Sequence, residues 1–253
     1  MRLLVGLILG WCVAMPVMAA TPVISIIIDD LGDRGKQDEA AVRLPGSLNY
    51  AFLPHAPHTP RLARLAHSMH KEVILHMPMQ AQQQEKKLGP GGLTLNMTEE
   101  EFVRTLELAL ASVPHVKGLN NHMGSLLTRH PGHMLWLMQA MNRRGDLFFV
   151  DSRTTRYSVA RTLAEEQHVP NLARDIFLDA QRSEAFVEKQ FDELLRVART
   201  SGGALAIGHP YPETLRVLKH RLHELEQENI RLVPVSELLK RKGKRTWHVS
   251  LSR

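Results

Sequence analysis

The stretch Val23-Ile24-Ser25-Ile26-Ile27-Ile28-Asp29-Asp30-Leu31-Gly32 constrains the fold more than any other part of the chain. Five of the six residues from Val23 to Ile28 are apolar, and four of them are isoleucine. β-Branched side chains favour extended backbone. A continuous apolar run, rather than an alternating one, fits a strand covered on both faces, as in a parallel sheet. Two carboxylates follow where such a strand ends. A single Asp there is an ordinary turn former or helix cap. Two in succession are a stronger signal, because the catalytic groups of α/β barrels collect at the C-terminal ends of the strands. Carboxylates so close cannot both act alike, but one can bind a metal while the other takes a proton.

The alternation of strand and helix continues along the chain. Further extended segments are expected at 48–53, 72–76, 116–120, 147–151, 173–178, 204–209 and 230–233. Helices are expected at 37–43, from Pro60 to about Met69, at 98–111, 133–144, 158–168, 183–201 and 214–229, with a short last one capped by Ser236. Thr98 followed by Glu101 is a capping-box pattern. Residues 80–95 are polar and glycine-rich, a loop of the length that tends to be functional or disordered. No low-complexity linker or internal repeat divides the chain. About seven or eight strands alternating with helices predict a single α/β domain on a central, mostly parallel sheet or barrel.

Asp30, His76, His122, Asp151 and His209 share one placement: each follows an apolar run at the C-terminal end of an expected strand. In a parallel sheet or barrel those ends converge on one rim. Two imidazoles and a carboxylate are an ordinary zinc set that leaves room for water, and a second carboxylate can then serve as base, a combination suited to amide or ester hydrolysis. The other histidines, among them His55, His58, His67, His70, His130, His133, His220 and His223, read as surface residues. Met134, Leu137, Met138 and Met141 fall at core spacing and read as packing. There is no Gly-x-Ser-x-Gly elbow for a serine hydrolase and no Gly-x-x-x-x-Gly-Lys phosphate loop.

Residues 1–20 follow the pattern of a cleavable secretory signal: Arg2, an apolar run from Leu3 to Val13, then small residues through Ala19 and Ala20. The only cysteine, Cys12, lies inside it, so the mature chain is expected to have no disulfide and no thiolate metal site. An exported, cysteine-free chain suits a bacterial periplasm, without stable membrane insertion after cleavage. The formal charge is +6, and much of the excess lies in the basic run 240–245. That run is expected to be a solvated C-terminal tail (residues 241–253). Export makes nucleic acid an improbable partner and leaves anionic envelope polymers as candidates.

The segments Ile28-Asp29-Asp30, His70-Lys71-Glu72-Val73-Ile74-Leu75-His76-Met77-Pro78-Met79, Gly118-Leu119-Asn120-Asn121-His122-Met123-Gly124-Ser125, Phe149-Val150-Asp151-Ser152 and Ala206-Ile207-Gly208-His209-Pro210-Tyr211-Pro212 resemble those of the divergent polysaccharide deacetylases. The resemblance runs from about Val23 to Leu239, so residues 21–240 are expected to form the catalytic domain. It implies a distorted (β/α) barrel of the glycoside hydrolase and deacetylase type and a metal-dependent carbohydrate deacetylase. Carried over residue by residue, it makes Asp29 the base and Asp30 a ligand of a divalent metal, zinc by preference. His76 matches the first histidine of the family's His-x-x-x-His ligand pair. The second position is Gln80, and His122 is expected to take its place. His209 matches the proton-donating histidine, Asp151 would hold or tune a neighbour such as Arg153 or His209, and Asn121, Ser125 and Arg153 are candidates for substrate contact.

Together these readings predict an exported metal-dependent hydrolase that removes N-acetyl groups from a cell-envelope polysaccharide. Two alternatives stay open. One is a barrel of the same kind that binds glycan or a partner protein without turnover. The other is a metal-dependent amidase of a different cell-wall bond.

Overall fold

The structure is a computed structural model that describes residues 21–83 and 88–250; the expected signal segment lies outside the described residues. Nine strands are present among them: β1 (Val23–Leu31), β2 (Asn49–Phe52), β3 (Glu72–Met79), β4 (Val116–Met123), β5 (Phe148–Asp151), β6 (Asn171–Ala173), β7 (Ile176–Phe177), β8 (Gly203–Gly208) and β9 (Arg231–Leu232). The helices are α1 (Lys36–Val42), α2 (Thr59–Ser68), α3 (Glu99–Ser112), α4 (Pro131–Arg144), α5 (Ala160–Glu166), α6 (Glu184–Ser201), α7 (Pro212–Arg221) and α8 (Val235–Ser250). The capping box of Thr98 and Glu101 opens α3 as expected. Ser183 caps α6, and Gly202 ends it in the left-handed conformation that lacks a Cβ penalty. No helix among the described residues is long and apolar enough to cross a membrane.

Every strand pairing is parallel. The sheet order is β6-β5-β4-β3-β2-β1-β8-β7, with β9 paired to the start of β1. The result is an open, distorted barrel wrapped by helices. The two ends of the path are consecutive in sequence. The expected strand 173–178 is in fact two short strands, because the chain changes partners at Arg174 and Asp175. The Arg174 N–H donates to the Asp151 carbonyl, while Asp175 exchanges bonds with Leu205 through its own N–H and its carboxylate. One bent segment thus reaches from β5 across to β8. Two other expectations are corrected. The helix expected at 214–229 ends at Arg221 and gives way to turns, and the last helix is long and takes in the basic run.

Strand periodicity sorts the side chains into two cores. Ile24, Ile26 and Ile28 of β1 face outward, into the large cluster formed with the helices. Val23 and Ile27 face inward, where they meet Ala51, Ile74, Val150, Leu205 and Ile207. Val235 and Leu238 of α8 join this inner cluster and close the base of the barrel. Burying each such side chain contributes about 1.5–3 kcal/mol. The floor of the barrel is therefore mainly apolar, and its inward polar residues are satisfied by main chain: Ser25 donates to the Val233 carbonyl, and Asn49 donates to the Ile26 carbonyl and accepts the Val235 N–H.

Gly118 of β4 pairs in register with Phe148 of β5, and the aromatic ring fills the space a side chain would take: a Cβ on Gly118 would stand 2.2 Å from the ring. Gly118→Ala is expected to destabilise the fold by about 1–3 kcal/mol through overpacking. The urea midpoint should fall with an unchanged m-value, and an unchanged midpoint would show that the inner core yields freely there.

Candidate metal centre

The rim layer is built by the same alternation. On β1, residues 23, 25, 27 and 29 point inward, so Asp29 stands one step above Ile27. Regular alternation would turn Asp30 outward. A bulge prevents this: Ile28 pairs with Tyr50 and Leu31 with Phe52, three residues of β1 against two of β2. Asp30 takes up the extra residue with φ of 58°, in the left-handed region that is less costly for Asp than for most residues. Both carboxylates consequently reach His76: Asp29 Oδ2 lies 3.7 Å from its Nδ1 and Asp30 Oδ1 3.1 Å from its Nε2. The loop beyond is tied down by fully buried Asp38, which accepts the N–H groups of Gly32 and Arg34.

His76 and His122 arrive on β3 and β4. The register pairs His76 with Asn120, and period two then places Asn120 and His122 on one face. Asp30 Oδ1, His76 Nε2 and His122 Nδ1 form a triangle with edges of 3.1, 2.9 and 3.1 Å. That is close to the ~3.3 Å edge of a tetrahedron whose centre lies about 2.0–2.1 Å from each atom, as for zinc. These three residues also form the one His/Asp cluster of metal-binding size among the described residues. Asp30 Oδ1 is buried and accepts no well-aligned hydrogen bond, although two ring nitrogens lie beside it. The two ring nitrogens and this oxygen converge on a common point, and the donor set fits a divalent cation.

A second layer fixes the candidate ligands. His76 Nδ1 lies 2.7 Å from Asn120 Oδ1, and Asn120 Nδ2 donates to Asp29 Oδ1 at 2.8 Å. With Nδ1 as donor, the His76 Nε2 lone pair is left to face the centre. The electrostatics are those of a buried anionic pocket. Burial pushes the Asp29 carboxyl up, although the charges of His76 and His209 oppose it. Burial also works against ionised Asp30, yet His122 and His76 hold its carboxyl well below the usual range. Burial pulls His76 down, but Asp29 and Asp30 outweigh it and push the imidazole up to about 9. The pocket thus holds two carboxylates that call for compensating positive charge.

His209 follows β8, with Nε2 3.7 Å from Asp30 Oδ2. Its Nδ1 lies 2.9 Å from Asp179 Oδ1, and its main-chain N–H donates to Asp179 Oδ2 at 2.6 Å. Thr214 also donates to Asp179 Oδ2. Burial lowers the His209 pKa, but the Asp179 bond and the nearby carboxylates raise it overall. The holder of His209 is therefore Asp179 and not Asp151. Asp151 shares the strand parity of outward-facing Phe149, and its Oδ1 accepts the Arg153 N–H.

The remaining candidates are dispersed. Asn121 is buried; its amide donates to the Met123 carbonyl and accepts the Ser152 N–H, which locks β4 to the end of β5. Ser125 Oγ accepts the Gln82 N–H at the root of the long loop. Gln80 is buried too, and its Oε1 accepts the Leu95 N–H. His133, read from the sequence as a surface residue, is buried beside Phe102 and Trp136. Asp30 and His122 open into a cavity of about 490 Å³ walled by Leu53, Pro54, Pro78 and Tyr211. The Tyr211 ring lies 5.2 Å from that of His209.

Residues 26–239 match the family model described as divergent polysaccharide deacetylase. An uncharacterised protein of Haemophilus influenzae is 39% identical over 215 residues, 85% of this chain and 76% of that protein. The crystal structure of uncharacterised protein ATU2773 from Agrobacterium tumefaciens superposes with a TM-score of 0.83 at 22% identity, over 87% of this chain and 90% of that one. Peptidoglycan deacetylase PdaC from Bacillus subtilis has a similar fold, with a TM-score of 0.53 at 12% identity over 91% and 96% of the two chains.

Proposed function

Because this chain belongs to the divergent polysaccharide deacetylase family, we propose that it is an exported, metal-dependent hydrolase that removes N-acetyl groups from a cell-envelope polysaccharide. The observation that carries the reading is the triangle of Asp30, His76 and His122 at the base of an open cavity, with Asp29 and His209 beside it. Asp30, His76 and His122 would hold the cation, and zinc suits two imidazoles and a carboxylate, though nickel and cobalt share such sites. When bound, the cation polarises the acetyl carbonyl and lowers the pKa of a water molecule.

The chain's own groups do the rest. Asp29, whose burial raises its affinity for a proton, takes one from the attacking water as the water oxygen bonds to the carbonyl carbon. The C–N bond breaks, and His209, oriented by Asp179, delivers a proton from Nε2 to the departing amine. Water and amide become acetate and amine. The leader pattern of residues 1–20 supports a periplasmic location, and the fold shared with a peptidoglycan deacetylase supports an envelope glycan as substrate.

Acetate release from N-acetylated envelope glycan tests the reading. The mature protein should release acetate, lose that activity on chelation by about 100-fold or more and regain it with zinc. Glycan binding without acetate release, unaffected by chelator, would favour the non-catalytic barrel, a reading that draws on Gln80 standing at the family's second histidine position. Release of a different product, with acetate retained on the sugar, would favour the amidase.

A further inference from the structure

A second cavity, of about 600 Å³, opens on the same rim where β5 and β6 end. Four guanidinium groups line it, those of Arg153, Arg156, Arg161 and Arg174, against two carboxylates, Asp151 and Asp175. Both carboxylates have partners: Asp151 accepts the Arg153 N–H, and Asp175 accepts the Leu205 N–H with Lys242 Nζ 3.3 Å away. Of the arginines, Arg161 is paired with Glu165. Among the described residues, Arg153, Arg156 and Arg174 make no ion pair with a carboxylate within 4.0 Å. Arg174 donates to the main-chain carbonyls of Ser152 and Arg153 and stacks on Phe177. The Phe177 ring under it lies 5.6 Å from the ring of His209, so the cavity adjoins the candidate metal centre. Arg153 holds a left-handed φ of 50°, which turns the chain at the end of β5. Next to Arg156, exposed Tyr157 has the guanidinium carbons of Arg129 and Arg156 5.2 and 4.7 Å from its ring centre, and its hydroxyl accepts from Arg156 Nη2.

Guanidinium forks that make no ion pair within the protein match carboxylate and phosphate oxygens. We propose that this cavity is a subsite for an oxyanion carried by the glycan, a carboxylate or a phosphate monoester, which anchors an acidic polysaccharide while a neighbouring N-acetyl sugar occupies the metal centre. The substrate side of this inference rests on the deacetylase reading; the binding of the anion does not.

The test uses the mature chain and three probes: a disaccharide of a uronic acid and N-acetylglucosamine, its neutral glucose counterpart, and N-acetylglucosamine 6-phosphate. Calorimetric titration should show the uronate or the phosphate sugar binding the wild type at least about tenfold more tightly than the neutral disaccharide, with the advantage falling as salt is added. The tighter of the two charged probes names the anion. Arg153→Gln/Arg156→Gln, two exposed changes, should bring the charged-to-neutral ratio close to one. Equal binding of charged and neutral probes by the wild type, or a ratio that the variant keeps, would overturn the proposal. Acetate release measured in parallel separates the two readings. An intact binding ratio without acetate release leaves the subsite standing and removes the deacetylase, whereas equal rates of release from charged and neutral disaccharides remove the subsite and leave the deacetylase.

Discussion

Asp29→Asn is expected to lower acetate release by about 10²–10⁴-fold while the protein keeps its metal, the range that loss of a general base removes. The proposed function has Asp29 transfer a proton and not ligate, because its Oδ2 lies 3.7 Å from His76 Nδ1, on the far side of the ring from Nε2. Asparagine fills the same volume, and its carbonyl can still accept from Asn120 Nδ2, so the second layer that orients His76 survives. What is lost is the negative charge and the ability to take a proton. Rate and metal content must be measured on the same preparation. Metal lost together with activity would move Asp29 into the ligand set and leave the base to be found elsewhere.

His76→Ala/His122→Ala should take the bound metal from about one equivalent to none, as removal of two of three protein ligands demands. The measurement is elemental analysis of protein purified without chelators or a metal-binding tag. His76 is buried and its loss deprives Asn120 Oδ1 of a partner, so the variant needs a check on folding. Circular dichroism and a cooperative thermal transition provide it. A folded variant that retains an equivalent of metal would place the cation elsewhere, and a folded wild type that takes up none when zinc is supplied would remove the hydrolase as drawn.

The candidate ligand set could be proposed from the sequence because each member stands at or just beyond the C-terminal end of an expected strand, and parallel strand ends share one rim. Asp30, His76 and His122 were accessible in that way. Their supports were not. Asn120 gave a usable signal, since it precedes His122 by two and so shares its strand face, but its bond to Asp29 crosses two intervening strands. Asp179 also closes an apolar segment. Its preference for His209 depends on the bent chain between β6 and β7, which no periodicity reports. Asp151 has the motif and the strand end but the wrong parity, and its carboxylate joins the arginine cavity instead. The bulge was hidden for a related reason. Alternation alone sends Asp30 outward, and only a mismatch of one residue against β2 turns it in. Such a mismatch is a property of two strands together.

The pairing of β1 also sets the order in which the molecule can be completed. One flank of β1 pairs with β8 over six consecutive residues, Val23 to Ile28 against Gly203 to Gly208, and its first residues pair with β9. The Ser25 hydroxyl donates to a carbonyl 208 positions later. The first of the described strands therefore waits for the last two, and its aliphatic run stays without its final neighbours until residues through Val233 are available. Contacts so distant along the chain slow folding and prolong the exposure of an aggregation-prone segment. The strand that carries both aspartates is thus exposed until its distant partners arrive and the barrel closes around it.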